Sequence, residues 1–170
     1  MTEAMELIDM KVRPDRTVFG SVDLIVYDFD GVMTDNRVLT FQDGTEAVWA
    51  NRSDGLGINL IKELGITQII ISTESNQVVE ARATKVGLPV MYNISNKLEA
   101  LTRYCTKHSF DFQKTIFVGN DINDLEAMQA VAHPVAPSDA HFEIKSIAKL
   151  ILDSKGGDGV IRELADILKD

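Results

Sequence analysis

Residues 23–35 read Asp23-Leu24-Ile25-Val26-Tyr27-Asp28-Phe29-Asp30-Gly31-Val32-Met33-Thr34-Asp35. An apolar run of strand length empties into two aspartates spaced i, i+2, then a glycine, Thr34 and Asp35. A strand that ends this way delivers Asp28 and Asp30 to the rim of a sheet, where the turn lets both reach one ligand. Carboxylates that close repel each other unless a cation or a shared proton intervenes. The plainer reading is a strand followed by an Asx-rich turn; the rest of the chain decides between them.

Directly downstream, the strand-like runs 38–41 and 46–50 flank Gln42-Asp43-Gly44-Thr45, a strong hairpin signal that places a β-ribbon near the same rim. Across residues 53–64, Leu56, Leu60, Ile61 and Leu64 share one helical face, with Ser53 as N-cap and Gly65 as stop. Gly55 and Gly57 in its first turn are poor helix formers and point to close backbone approach. Residues 67–71 form a second buried strand ending in Ser72-Thr73-Glu74. A helix marked by Val79, Ala83 and Val86 stops at Gly87, and a short strand covers 89–92. Leu98, Leu101 and Cys105 mark the next helix, and residues 115–118 form a strand that empties into Gly119-Asn120-Asp121-Ile122-Asn123-Asp124. There follow a helix with Leu125 and Met128, a strand-like run 131–135, a helix near 139–146, apolar 150–152, and Gly156-Gly157-Asp158-Gly159 opening an amphipathic helix.

Strands alternating with helices at this spacing predict an α/β fold: a Rossmann-like, doubly wound parallel sheet with right-handed crossovers, helices on both faces and a β-hairpin after the first strand. Residues 1–20 read as an N-terminal extension and 21–170 as a single domain. Ligands of such sheets bind at the carboxyl ends of the strands.

Composition narrows the partners. At 170 residues with 45% hydrophobic and 25% charged residues, the chain suits one soluble globular domain. Its net charge of -9 and pI near 4.8 argue against nucleic acid or an anionic membrane as partner, and an anionic substrate needs a local cation. A lone cysteine, Cys105, permits no intrachain disulfide and points to a reduced, cytoplasmic protein. Glu3, Glu6 and Asp9 interrupt the apolar positions of the first twenty residues, so these lack a signal-peptide core, and no run approaches the ~18 apolar residues of a membrane span.

Gathered at one rim, the strand ends offer Asp28 and Asp30, Ser72 and Thr73, and Asn120, Asp121 and Asp124, with Lys97 opening a helix nearby. Oxygen donors at this density suit Mg²⁺. Zinc is disfavoured, because His108, His133 and His141 show no ligand spacing with one another or with Cys105.

These stretches, in this order, resemble the four motifs of the haloacid dehalogenase superfamily of phosphotransferases. Within it the chain is similar to the capless 3-deoxy-sugar-acid phosphatases, which act on 3-deoxy-manno-octulosonate 8-phosphate or acylneuraminate 9-phosphates. The narrower likeness rests on Asp35, Asp54-Gly55-Leu56-Gly57-Ile58, Asn96-Lys97-Leu98 and Gly156-Gly157-Asp158-Gly159-Val160-Ile161-Arg162-Glu163, and it spans about residues 22–168. No cap domain is expected, since a hairpin and a helix account for the residues between Asp35 and Ser72.

The resemblance implies Asp28 as nucleophile, Asp30 as general acid and base, Ser72 on the phosphoryl oxygens and Lys97 as the neutralising cation. It places Mg²⁺ against Asp28, the carbonyl of Asp30 and Asn120, with Asp124 holding the metal's waters. The family commonly has Asp where this chain has Asn120; an amide ligates without charge, and Asp121 is the residue at hand to assist. Ser72-Thr73-Glu74 departs from the Thr-Gly-Arg of octulosonate phosphatases toward the nonulosonate, sialic-acid-like enzymes, making Thr73 and Glu74 candidate substrate contacts. Asp35 reads equally as a turn cap or as part of the site geometry, and Arg82 as a helix-surface residue or a substrate or subunit contact. Trp49 reads as an interface or core residue. The resemblance further implies a homotetramer in which a neighbour's hairpin and tail complete the pocket, so that Arg52, Lys155 or Arg162 could meet a substrate carboxylate. Two other readings stay open: a non-catalytic oligomerisation module, of the kind fused to sugar-nucleotide synthetases, and the same chemistry on another small phosphate.

Overall fold

Leu24–Tyr27 is buried along its whole length, as an apolar run must be when helices cover both faces of its sheet. It is β1 of a computed structural model that describes residues 14–170. After it come β2 (Thr34–Thr40), β3 (Glu46–Ala50), α1 (Arg52–Glu63), β4 (Thr67–Ile71), α2 (Val78–Val86), β5 (Val90–Met91), α3 (Lys97–His108) and β6 (Thr115–Val118). The chain closes with α4 (Leu125–Ala130), β7 (His133–Ala136), α5 (Phe142–Ile147), β8 (Leu150–Ile151) and α6 (Val160–Lys169).

The six-stranded sheet has the order β5-β4-β1-β6-β7-β8, every neighbouring pair parallel. From β1 the chain winds outward on one side through β4 and β5, then returns to the other side of β1 as β6. That reversal makes the carboxyl end of β1 the switch point, where an open α/β sheet leaves a crevice. Alternate residues feed opposite faces: Ile25, Tyr27, Ile70 and Val118 pack with Ile58, Val79 and Leu164 of α1, α2 and α6. Leu24, Val26, Ile71 and Phe117 pack with Leu101, Met128 and Ile144 of α3, α4 and α5. The doubly wound sheet expected from the alternation is therefore present. β2 and β3 pair antiparallel as a separate ribbon, with Gly44 in the left-handed region at φ 83° in the Asp43-Gly44 turn. Ribbon, α1 and β4 take up the chain between Asp35 and Ser72, and no cap domain lies there.

Local details differ from the sequence reading. Asn51, not Ser53, caps α1: its Oδ1 accepts the Ser53 N–H at 2.9 Å and the Ser53 hydroxyl at 2.8 Å. Asn is as good a cap as Ser, and the helix begins one residue before Ser53. Close approach holds at Gly57, where a Cβ would lie 2.8 Å from both the Arg162 Cα and the Ile161 carbonyl oxygen. It does not hold at Gly55, whose added Cβ would meet nothing nearer than a Val86 methyl at 4.0 Å. Residues 1–13 of the expected extension lie outside the described residues. Phe19 is buried and meets the His133 ring edge-on at 5.6 Å, so packing begins before residue 21. Trp49 is 72% exposed, which removes the core reading and leaves the interface one. Among the described residues no helix is long and apolar enough to cross a membrane.

Cys105 is buried beneath β4 and β6, and burial pushes its thiol up to about 11, with Asp111 adding to the effect. The thiolate is the reactive form. At pH 8 the native protein should therefore react with a thiol reagent on the order of 100-fold more slowly than the denaturant-unfolded chain, about tenfold per pKa unit. Equal rates in the two states would show the thiol to be open.

Candidate active site

Because β4 and β6 flank β1 in parallel register, their last residues reach one rim together with Asp28. The Asp28 N–H continues the ladder, donating to the Val118 carbonyl at 2.9 Å. This fixes the backbone from which the side chain projects. Asp28 Oδ1 accepts the Phe29 N–H at 2.7 Å and the Lys97 ammonium at 2.6 Å. Lys97 is the first residue of α3, behind the Asn96 cap, and its Nζ also reaches Asp124 Oδ1 at 2.6 Å. Asp124 Oδ2 accepts the Asn120 N–H at 2.9 Å and the Asp121 N–H at 3.4 Å, the second closing a capping box over the 3-10 turn Ile122–Asp124. One ammonium thus sits between two carboxylates, all three buried.

Burial and the nearby Asp124 charge push Asp28 well above the usual carboxylate range, with Lys97 pulling the other way. Burial draws Lys97 down, yet Asp28 and Asp124 outweigh it and hold the ammonium above its ordinary value. The trio carries one negative charge too many for its surroundings, and a cation beside Asp28 relieves it.

Asp30 is half-buried. Burial raises its pKa, the Thr34 hydroxyl bond at 3.3 Å lowers it, and Glu74 and Glu46 raise it further. An aspartic acid expected to donate a proton needs such a shift. Gly31, at φ 79°, lies where a Cβ would be 2.0 Å from the Asn120 amide nitrogen, so only glycine lets the two loops meet.

The Asn120 side-chain oxygen faces Asp28 Oδ2 at 3.1 Å and the Asp30 carbonyl at 2.9 Å. An amide oxygen facing two acceptors requires either a rotated amide, whose NH₂ then donates to both partners, or a cation among the three. Oxygens sharing an edge of a Mg²⁺ octahedron lie about 2.9 Å apart, given bonds of about 2.0–2.1 Å. With the Asn120 oxygen turned inward, its two spacings and the all-oxygen donor set fit that ion. Among the described residues no group of three or more His, Cys, Asp or Glu could hold a metal. The cradle escapes that description because it combines one carboxylate, one backbone carbonyl and one amide.

A cavity of about 180 Å³ opens here, lined by Asp28, Asp30, Asn36, Thr73, Asn120, Asp121 and Asn123. Asn123 donates to the Thr73 hydroxyl at 3.3 Å and ties the β6 loop to the β4 loop. Ser72 is buried, its Oγ accepting the Glu74 N–H at 3.1 Å. A second cavity of about 220 Å³ shares Asp30 and Asn36 with the first and is lined further by Arg37, Glu46, Val48 and Glu74. Glu74 turns one oxygen back onto the N–H groups of Ser75 and Asn76, at 2.7 and 2.8 Å.

The fold thus gathers Asp28, Asp30, Thr73, Asn120 and Asp121 around one cavity, with Lys97 and Asp124 behind Asp28 and Glu74 in the adjoining space. Asp121 is exposed and spends Oδ1 on the Ile122 N–H at 2.8 Å. Asp35 pairs with Arg37 at 2.5 Å and lines neither cavity. Arg82 is not brought to this cleft within its own chain: it donates to the Asn51 carbonyl at 2.7 Å and lines a separate cavity with Arg52 and Lys85. Asn36, Asn123 and Glu46 line the site without having been singled out from the sequence. Asn36 carried a usable signal, since Asn tolerates the left-handed φ of 63° that a chain leaving an Asp-Gly turn can require. Glu46 carried none, being an acidic residue of a hairpin strand in a chain with 26 Asp and Glu.

Comparison with known proteins agrees with this geometry. The model of the haloacid dehalogenase-like hydrolases matches residues 62–164. The chain is 31% identical over 149 residues to the 3-deoxy-D-manno-octulosonate 8-phosphate phosphatase KdsC of Salmonella typhi, covering 87% of this chain and 79% of that protein. The Escherichia coli K12 enzyme of the same name matches with the same identity and coverage. A chain described as a HAD family hydrolase from Streptomyces avermitilis superposes with a TM-score of 0.86 at 41% identity, covering 91% of this chain and 87% of that one. The Moraxella catarrhalis octulosonate phosphatase, solved with magnesium, phosphate and KDO, gives 0.86 at 25% identity over 90% and 88% of the two chains. With its switch-point aspartates, buried lysine and capless sheet, the chain belongs to the haloacid dehalogenase-like hydrolases, in the KdsC-like subgroup, and is a phosphoric monoester hydrolase.

Proposed function

We propose that this protein is a Mg²⁺-dependent phosphatase of 3-deoxy-2-ulosonic acid phosphates, with 3-deoxy-D-manno-octulosonate 8-phosphate first among them and a nonulosonate 9-phosphate the alternative. The observation that carries the reading is Lys97 held between Asp28 and Asp124 beside the oxygen cradle of Asp28, Asp30 and Asn120. The similarity to octulosonate phosphatases supports the eight-carbon substrate, whereas Glu74 leans toward the nine-carbon one.

Asp28 attacks phosphorus, forming an aspartyl-phosphate as the bond to the sugar oxygen breaks. Asp30 gives its proton to that departing oxygen, then takes one from the water that attacks the aspartyl-phosphate and returns Asp28 as carboxylate. Lys97 offsets the charge that otherwise keeps a carboxylate from a phosphate dianion, and Ser72 and Thr73 hold the phosphoryl oxygens. Asp28, the Asp30 carbonyl and Asn120 would hold Mg²⁺, which would supply further charge neutralisation; Asp121 lies at the cavity wall, and Asp124 shapes the Asn120 loop. A non-catalytic assembly module has no use for three buried charges at a strand end. Self-assembly to a homotetramer belongs to the same proposal, supported by the exposed apolar ribbon residues Val38, Leu39, Phe41 and Trp49.

Phosphate release measured across octulosonate 8-phosphate, neuraminate 9-phosphate and related esters should require Mg²⁺ and cease with EDTA. Full turnover in EDTA sinks the metal, and silence on every sugar-acid phosphate sinks the substrate class. Asn120→Asp adds a charged donor to the cradle and should tighten Mg²⁺, titrated calorimetrically, on the order of tenfold. Unchanged affinity would place the ion elsewhere.

A further inference from the structure

Asp54 stands in the first turn of α1 with its carboxylate fully buried. Its Oδ1 accepts the backbone N–H groups of Ile161 at 3.0 Å and Arg162 at 3.2 Å. These are donors of the first turn of α6, which a helix cannot satisfy internally. The N-cap of α6 is Gly159, which has no side chain to offer. The cap arrives instead from 107 residues earlier in the chain, and its negative charge suits a helix N-terminus. One turn further along α1, Gly57 lets the two helix backbones touch, as described above.

This arrangement governs where the turn leading into α6 lies. The Gly157 N–H donates to the Val32 carbonyl at 3.0 Å. A Cβ on Gly156 would lie 2.3 Å from the Gly31 carbonyl oxygen, and one on Gly157 would lie 2.4 Å from the Asp35 nitrogen. Backbone is pressed on backbone, and the segment beneath is the one that aims Asp30. Within it, the Thr34 hydroxyl donates to Asp30 Oδ1 at 3.3 Å and accepts the Gly31 N–H at 3.3 Å.

We propose that Asp54 is a positioning residue for the reaction: by capping α6 it holds the glycine turn 156–159 against residues 31–35 and so sets the aim of Asp30. The proposal rests on the reading of Asp30 as the acid that protonates the leaving group. Stability alone explains Asp54 poorly. Its Oδ2 is one of two buried side-chain polar atoms without a hydrogen-bond partner among the described residues, and a buried charge left partly unpaired is a costly way to join two helices.

Two substrates separate positioning from general structural damage. The sugar alkoxide of an alkyl phosphate needs Asp30's proton to depart, whereas the phenolate of p-nitrophenyl phosphate does not. In Asp54→Ala, kcat on octulosonate 8-phosphate should fall by roughly 100-fold while p-nitrophenyl phosphate turnover stays within about threefold. Asp30→Asn should show the same split, and Asp54→Asn, whose amide oxygen still accepts from α6, should recover part of the loss. Where Asp54→Ala does not fold, Gly156→Ala tests the same contact at the Gly31 carbonyl, and the same split is expected. Equal losses on both substrates in a folded variant, beside a split in Asp30→Asn, overturn the role of Asp54. Equal losses in Asp30→Asn overturn the acid reading of Asp30 and this proposal with it.

Discussion

Asp28→Asn should abolish phosphate release, lowering kcat by at least ~10⁴-fold, the scale seen when a covalent catalyst loses its nucleophile. The change is nearly isosteric, and the amide oxygen can still accept from Lys97 and from the Phe29 N–H, which the carboxylate now takes at 2.6 and 2.7 Å. The fold should persist, because the lost charge is one of two buried carboxylates around a single ammonium. Removing a group that burial already pushes toward its neutral form costs little. Rapid acid quench of the unsubstituted enzyme should trap a phosphorylated chain, and the same quench of Asp28→Asn should not. Undiminished turnover in the variant would assign the nucleophile elsewhere.

Lys97→Ala carries the second large effect, and it falls on stability as well as rate. Without the ammonium, Asp28 and Asp124 face each other across a buried gap with no countercharge. Breaking a buried ion pair from one side costs about 3–5 kcal/mol, which for a chain of this size is a fall in Tm of about 6–20 °C. Turnover should drop by about 10²–10³-fold, as for loss of one charged group that stabilises the transition state. Added Mg²⁺ should recover part of the lost Tm, since a divalent cation beside Asp28 supplies some of the missing charge. A calorimetric scan that shows the variant melting with the parent, with or without Mg²⁺, would mean that Lys97 is not the counter-ion of this pair.

Much of the site was legible because its chemistry is local to strand ends. Asp28, Ser72 and Asn120 each follow an apolar run whose length and β-branched content mark a strand, and each run is β1, β4 or β6. The Asp43-Gly44 hairpin and the stop at Gly87, with φ of 68°, follow from turn chemistry that needs no tertiary knowledge. Asn51 was the residue that local rules misplaced: several good cappers stand together in Asn51-Arg52-Ser53-Asp54, and the backbone path settles which one caps. Asp54 is then free for α6, a use no local rule foresees.

The substrate-facing residues were harder to read. Arg82 reads as a helix-surface residue or a substrate or subunit contact, and its guanidinium is turned to the Asn51 carbonyl, because α2 packs its Val79 and Ala83 face on the sheet and carries Arg82 toward α1. Glu74 keeps a place beside Asp30, where its charge is felt in the pKa of that residue. Asn36 and Glu46 join the site only because the ribbon folds back over the rim.

Taken by itself, the sequence determined the alternation of strands and helices, the apolar faces and the polar residues at each strand's carboxyl end. All of these depend on periodicity and turn chemistry within a few residues. Only the tertiary structure decided which strand ends meet. The return of the chain from β5 to β6 on the far side of β1 sets Asp28 between Ser72 and Asn120, and helix packing brings Lys97 to Asp28 and Asp54 to α6. Such contacts join residues tens to a hundred positions apart, and they follow from burying both faces of one sheet rather than from any residue's own preference.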